Sequence, residues 1–116
     1  ADYVCSGMHK GGYIIPGLAL CRDSLKSHTA RVGMIDPRLY SAKFEPGLAT
    51  EDAVEHGLRI SLITFCRYII EQSPFDLEEV YLTGGDAEWL KGHLTGPVQI
   101  HEDLVFKGIS RYFGCW

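Results

Sequence analysis

No apolar run in the sequence approaches the roughly 20 residues that a membrane-spanning helix requires. The nearest candidate, Leu58–Ile70, is broken by Arg59 and Arg67, so no membrane partner is expected. Nor is there a cluster of Lys and Arg, and the formal net charge is -4. Nucleic-acid binding depends on basic side chains that displace counterions, so it is not expected either. The four cysteines, Cys5, Cys21, Cys66 and Cys115, form no C-x-x-C pair. That scatter argues against a zinc site and fits buried or partly buried free thiols in a reducing cytoplasm. The histidines (His9, His28, His56, His93, His101) share no metal-site spacing and read as surface or structural residues. Ala1-Asp2-Tyr3-Val4 lacks a basic region followed by an apolar block, so no signal peptide is read and a cytoplasmic location is expected.

What is present is ordinary soluble-domain chemistry. The chain has 116 residues, of which 46% are hydrophobic, enough for one compact domain with one core. Asp2-Tyr3-Val4-Cys5 reads as a strand, Ser6-Gly7-Met8 as a turn, and Lys10–Ile15 as the return strand, since β-branched and aromatic residues cluster there. Pro16-Gly17 ends it. Leu18, Cys21 and Leu25 recur at helical spacing and predict a helix from Leu18 to about Ser27. His28–Leu48 reads as loop with a short helical turn near Pro37–Ala42. The clearest helix runs from Thr50 to about Gln72, with Thr50 as N-cap and Glu51 and Asp52 at the positive end of the helix dipole. Val54, Leu58, Leu62, Phe65 and Ile69 form its apolar stripe; Ile60, Ile63 and Ile70 widen the apolar girth, which predicts burial on more than one side. After Ser73-Pro74 come a strand at Glu79–Thr83, a turn at Gly84-Gly85-Asp86, a helix at Ala87–Leu94 with Asp86 as cap, a strand at Pro97–Ile100, and a last helix at Leu104–Phe113. The order is that of an α/β chain without repeats.

Three segments, in this order and spacing, carry a family resemblance. They are His9-Lys10-Gly11-Gly12-Tyr13-Ile14-Ile15-Pro16-Gly17-Leu18, then Gly47-Leu48-Ala49-Thr50-Glu51-Asp52-Ala53-Val54-Glu55-His56-Gly57, then Tyr81-Leu82-Thr83-Gly84-Gly85-Asp86-Ala87 with Asp103-Leu104-Val105-Phe106-Lys107-Gly108. Together they resemble the type III pantothenate kinases, over nearly the whole chain. The resemblance implies the acetate kinase, sugar kinase, heat-shock and actin superfamily, whose members have two ribonuclease-H-like halves around a nucleotide cleft. It implies transfer of the γ-phosphate of ATP to the 4′-hydroxyl of pantothenate, the first step of coenzyme A synthesis, with Mg²⁺ and a monovalent cation (K⁺ or ammonium) in a homodimer. The Thr50–Gln72 helix is the expected dimer surface.

The same resemblance shows what this stretch does not contain. The family's Gly-rich phosphate loop, its Gly-x-Asp-Arg motif with the catalytic base, and its Asp-x-Gly-Thr loop are not among these 116 residues. The expectation is therefore a partial carboxyl-terminal ribonuclease-H-like domain over 1–116 of a two-domain kinase, a mixed sheet flanked by helices with its first strand missing. No catalytic residue and no metal ligand is assigned within it, and it is expected to be inactive alone. Lys10 stands where the family more often has an apolar residue, which predicts a locally exposed strand position.

Two places are candidate sites. Thr50 matches a threonine that contacts pantothenate in the family; a hydroxyl at a helix start suits a polar ligand, while helix capping alone accounts for it equally simply. Glu51 and Asp52 would repel a carboxylate, so the hydroxyl or amide portion of pantothenate is the expected contact. Gly84 and Gly85 match a turn that lies near the adenosine; here the plain alternative is a tight strand-to-helix turn. Gly11-Gly12 and Pro16-Gly17 could line a cleft, or simply mark a bulge and a strand stop. A different class of function also fits: a non-catalytic binding or dimerisation module related to the family. A half from another superfamily member, such as a sugar kinase, shares the glycine turns, but the Thr50 segment and the Asp103–Gly108 ending argue against it.

Overall fold

The computed structural model describes residues 1–28 and 44–114. The short helical turn expected near Pro37–Ala42, and Cys115, lie outside the described residues. The chain divides into two compact units, Ala1–Leu62 and Ile63–Trp116, each taken by itself below.

In the first unit, β1 (Asp2–Cys5) and β2 (Met8–Gly12) form an antiparallel hairpin. Its two-residue loop has Ser6 at φ 51° and Gly7 at φ 73°; positive φ at both central residues matches the right-handed twist of the strands it joins. The pairing shifts between Tyr3 and Val4, so Lys10 falls in a bulge and is exposed. The return strand starts two residues earlier than Lys10 and stops at Gly12 rather than Ile15. Tyr13 N–H still donates to the Ala1 carbonyl at 2.8 Å, while Ile14 and Ile15 lie past the end of β2 and are exposed.

Helix α1 (Leu18–His28) begins directly after Pro16-Gly17, with Cys21 N–H donating to the Gly17 carbonyl at 3.0 Å and Leu18 buried. Helix α2 (Thr50–Glu71) carries Glu51 and Asp52 in its first turn, as its dipole favours. Its first 13 residues belong to the first unit and the rest to the second. The most deeply buried line on α2 is Glu55, Arg59, Ile63 and Cys66. The predicted stripe of Val54, Leu58, Leu62, Phe65 and Ile69 is only half-buried beside it. The pattern rotated by one residue because an ion cluster, described below, occupies the deepest positions of the first half. Pro74 cannot extend α2, and the Ser73 hydroxyl closes the turn by accepting from Phe75 N–H at 3.0 Å.

In the second unit, β3 (Val80–Leu82) and β4 (Val98–Ile100) pair in parallel, with Val80 opposite Val98 and Leu82 opposite Ile100. Between them α3 (Ala87–Lys91) packs against β4, and Ile63, Cys66, Ala87, Leu90 and Val98 are buried. Arg67 of α2 donates from Nε and Nη2 to the His93 carbonyl at 3.1 and 3.0 Å. Helix α3 ends at Lys91 instead of Leu94, because His93 and Leu94 N–H bond three residues back, to Leu90 and Lys91, and the last turn tightens out of the α pattern. Helix α4 (Leu104–Phe113) has the predicted bounds and is closed by Gly114 at φ 67°. None of its residues is buried; Leu104, Val105, Ile109 and Tyr112 are all exposed.

The chain is thus mixed α/β. In place of one mixed sheet, the described residues hold two separate two-stranded sheets, one antiparallel and one parallel, because each strand finds its ladder partner within its own unit. Cys66 is buried, and burial pushes its thiol up; Cys21 is half-buried. Cys5 departs from the expectation of a covered thiol, since it ends β1 at the hairpin turn and is exposed. Among the described residues no helix is long and apolar enough to cross a membrane.

Candidate functional site

The carboxyl ends of the parallel strands β3 and β4 lie side by side, the position where α/β sheets place ligands. His101 N–H donates to the Leu82 carbonyl at 2.8 Å and so carries the register one residue past β4. The Thr83 hydroxyl reaches across to the Glu102 carbonyl at 3.4 Å. Strand alternation then sorts the side chains. Val80, Leu82, Val98 and Ile100 take the covered face, while Tyr81, Thr83 and Gln99 are exposed and His101 is half-buried on the other.

The chain leaves β3 through Gly84-Gly85-Asp86. Gly84 has φ 104°, a backbone state that side-chain-bearing residues rarely adopt. Its carbonyl accepts from Ala87 N–H at 3.2 Å, which fixes the turn into α3. Gly85 has no such requirement: its φ is not positive, and a methyl group added there would meet nothing within 4 Å. Among the described residues neither backbone angle nor crowding requires a glycine at 85, which leaves its backbone open to an external group. Asp86 stands at the cap position of α3, but its side chain makes no capping hydrogen bond. Asp103 likewise caps α4 by position only; its carboxylate pairs with Lys107 at 3.0 Å, which holds it below the usual carboxylate range.

Thr50 belongs to the first unit, Gly84 and Gly85 to the second. Thr50 is exposed and is the first residue inside α2 rather than the residue before it. Ala49 takes the capping place, its carbonyl accepting from Ala53 N–H at 2.9 Å. Among the described residues the Thr50 hydroxyl has no hydrogen-bond partner. The expected capping role is therefore not seen, and the hydroxyl is free to meet another molecule. The segment before it is held close: a methyl at Gly47 would collide with the backbone of Asp52 and Ala53, and the Glu45 carbonyl bonds His56 Nδ1.

A cluster that the sequence reading missed anchors this end of α2. The Glu55 carboxylate is 1% exposed. It accepts from Arg22 of α1 through both oxygens, one contact at 3.0 Å and the Nε contact shorter, and from Arg59 Nε at 3.3 Å. Arg59 is itself buried. Burial alone would raise the Glu55 carboxyl; the hydrogen bonds and charges of Arg22, then Arg59, outweigh it and hold the group below its usual value. The Glu55–Arg59 spacing of four on a helix was a legible signal. Arg22, 33 residues away from Glu55, had no such signal.

Among the described residues no three His, Cys, Asp or Glu side chains converge as metal donors, so no residue here is assigned to Mg²⁺ or a monovalent cation.

The sequence profile of the family described as type III pantothenate kinase matches residues 1–72. The chain belongs to the type III pantothenate kinase family. Curated relatives extend the match through most of the remaining residues. The type III pantothenate kinase of Pseudomonas aeruginosa (strain LESB58) is 42% identical over 112 residues, covering 90% of this chain and 44% of the relative. That of Acinetobacter baylyi (strain ATCC 33305 / BD413 / ADP1) is 38% identical over 96% of this chain and 44% of the relative. That of Psychrobacter arcticus (strain DSM 17307 / VKM B-2377 / 273-4) is 35% identical over 97% of this chain and 45% of the relative. The chain spans less than half the length of these relatives and matches their carboxyl-terminal part.

Proposed function

We propose that this chain is the carboxyl-terminal portion of an ATP-dependent pantothenate kinase, built on a ribonuclease-H-like half, in which the Gly84-Gly85 turn takes the adenosine side of ATP and Thr50 contacts pantothenate. The observation that carries this reading is Gly85, a glycine that neither backbone angle nor crowding requires, at the carboxyl end of a parallel strand pair. The free, exposed hydroxyl of Thr50 at the start of α2 supports the second contact. Glu51 and Asp52 beside it favour the hydroxyl or amide part of pantothenate over its carboxylate.

Phosphoryl transfer relies on positioning and on charge stabilisation around the moving group. Residues of this chain supply positioning: Glu55 with Arg22 and Arg59 fixes α1 to the Thr50 end of α2, and the Gly84 turn fixes the entry to α3. The catalytic base, Mg²⁺ and the monovalent cation belong in this proposal to the family segments outside the 116 residues. The chain alone is therefore inactive, and the active form is a homodimer joined through α2. Replacing Gly85 by Val tests the nucleotide assignment. Stability to urea should stay within about 0.5 kcal/mol of wild type, while ATP binding should be lost. Unchanged ATP binding would defeat the assignment.

A further inference from the structure

We infer that His101 contacts the adenosine portion of the nucleotide, with the Tyr81 ring holding its imidazole in position. This rests on the nucleotide reading of the Gly84-Gly85 turn and extends it to His101, which lies outside the three family segments.

The inference starts from an oriented imidazole. The His101 ring is half-buried, and among the described residues neither of its nitrogens has a hydrogen-bond partner. Neither nitrogen is sealed off, so both stay open to a donor or acceptor from outside. What holds the ring is Tyr81, edge-to-face with centroids 4.7 Å apart and planes at 90°. The Tyr81 hydroxyl also donates to the Glu79 carboxylate. The ring contact gives His101 a defined orientation with both nitrogens open.

Its neighbours suggest the partner's chemistry. Gln99 shares the face, and among the described residues its amide is unpaired. Thr83 is the next residue on the adjacent strand and leads directly into Gly84. Together they offer an aromatic edge and several donors and acceptors, which suits a planar heterocycle with a hydrogen-bonding rim. Glu79 accepts from the Tyr81 hydroxyl, and Asp103, paired with Lys107, lies within electrostatic reach of His101, so carboxylates flank this face. That balance disfavours phosphate at this edge and favours the neutral end of the nucleotide. A parallel strand pair is normally covered on both faces, and here the uncovered face is the polar one.

The test is a titration of the ¹⁵N-labelled 116-residue chain, followed by amide shifts, with adenosine, ADP and inorganic phosphate as separate probes. Adenosine and ADP should move the amides of Gln99 and His101 together with those of Gly84 and Gly85, and phosphate should move none of them. His101→Ala should weaken adenosine binding about fivefold, the scale of one hydrogen bond. His101→Gln, which keeps a donor and an acceptor, should recover most of that loss. Tyr81→Phe, which keeps the ring, should bind as wild type, and Tyr81→Ala should bind as His101→Ala does. If ADP moves Gly84 and Gly85 but leaves His101 still, and His101→Ala binds normally, this inference falls while the nucleotide reading stands. If neither adenosine nor ADP moves any of these amides at millimolar concentration, both fall.

Discussion

Replacing Glu55 by Gln should unfold the first unit far more readily than any other isosteric change in the chain. The carboxylate is 1% exposed and faces Arg22 and Arg59, whose side chains are 13% and 6% exposed. Glutamine keeps the volume and one acceptor oxygen but removes the charge that Arg22 and Arg59 share in a covered site. Breaking a buried ion pair from one side costs about 3–5 kcal/mol. The retained acceptor places Glu55→Gln near 3 kcal/mol by the same reasoning. A domain of this size has about 5–15 kcal/mol in all, so the loss is a large fraction. Arg22→Met should cost less, since Arg59 still neutralises the carboxylate. Urea denaturation followed by far-ultraviolet circular dichroism measures each variant. A Glu55→Gln midpoint close to wild type, with an unchanged slope, would refute the assignment of Glu55 as a buried anchor.

Acid should act through the same group. The folded Glu55 carboxyl is depressed below its usual 4.5, so its stabilisation is complete above that value and is lost as pH falls through the lower folded value. Denaturation midpoints measured across that window should fall in wild type and stay flatter in Glu55→Gln. Gly47→Ala should destabilise by about 2–3 kcal/mol, because the added methyl meets backbone that cannot move aside; a midpoint equal to wild type would remove the close packing of this segment on α2. Gly84→Ala should cost about 1–2 kcal/mol from its φ of 104°, while Gly85→Ala should be near neutral, and equal losses at the two positions would contradict the distinction. Thr50→Val should leave stability within about 0.5 kcal/mol, since no hydrogen bond within the described residues is removed.

Much of the fold was legible because its signals are local. The hairpin turn at Ser6-Gly7, the long helix from Thr50 and the bounds of α4 all follow from short-range backbone preferences. Less legible were features set by partners distant in sequence. The return strand ends at Gly12, opposite Asp2, in a register set across the hairpin. The apolar stripe on α2 proved to be the flank of a buried Glu–Arg line, since Arg22 reaches Glu55 from another helix. The two-sheet arrangement depends on which strands pair, and alternation within a strand does not encode that. At the candidate site, the glycines were visible in sequence but their difference was not: the structure separates Gly84, with its φ of 104°, from Gly85, which among the described residues neither backbone angle nor crowding requires. Thr50 read as a cap, and Ala49 took that place because the backbone entered the helix one residue earlier.

In the proposed function this chain is the nucleotide- and substrate-positioning part of a pantothenate kinase. A chimera tests it most directly: the chain replaces the matching carboxyl-terminal portion of the Pseudomonas aeruginosa enzyme, and ATP-dependent phosphorylation of pantothenate is measured beside the chain alone. The chimera should turn over, the chain alone should not, and Thr50→Val in the chimera should raise the KM for pantothenate several-fold. A chimera that folds and dimerises but shows no turnover, or turnover by the 116 residues alone, would contradict it.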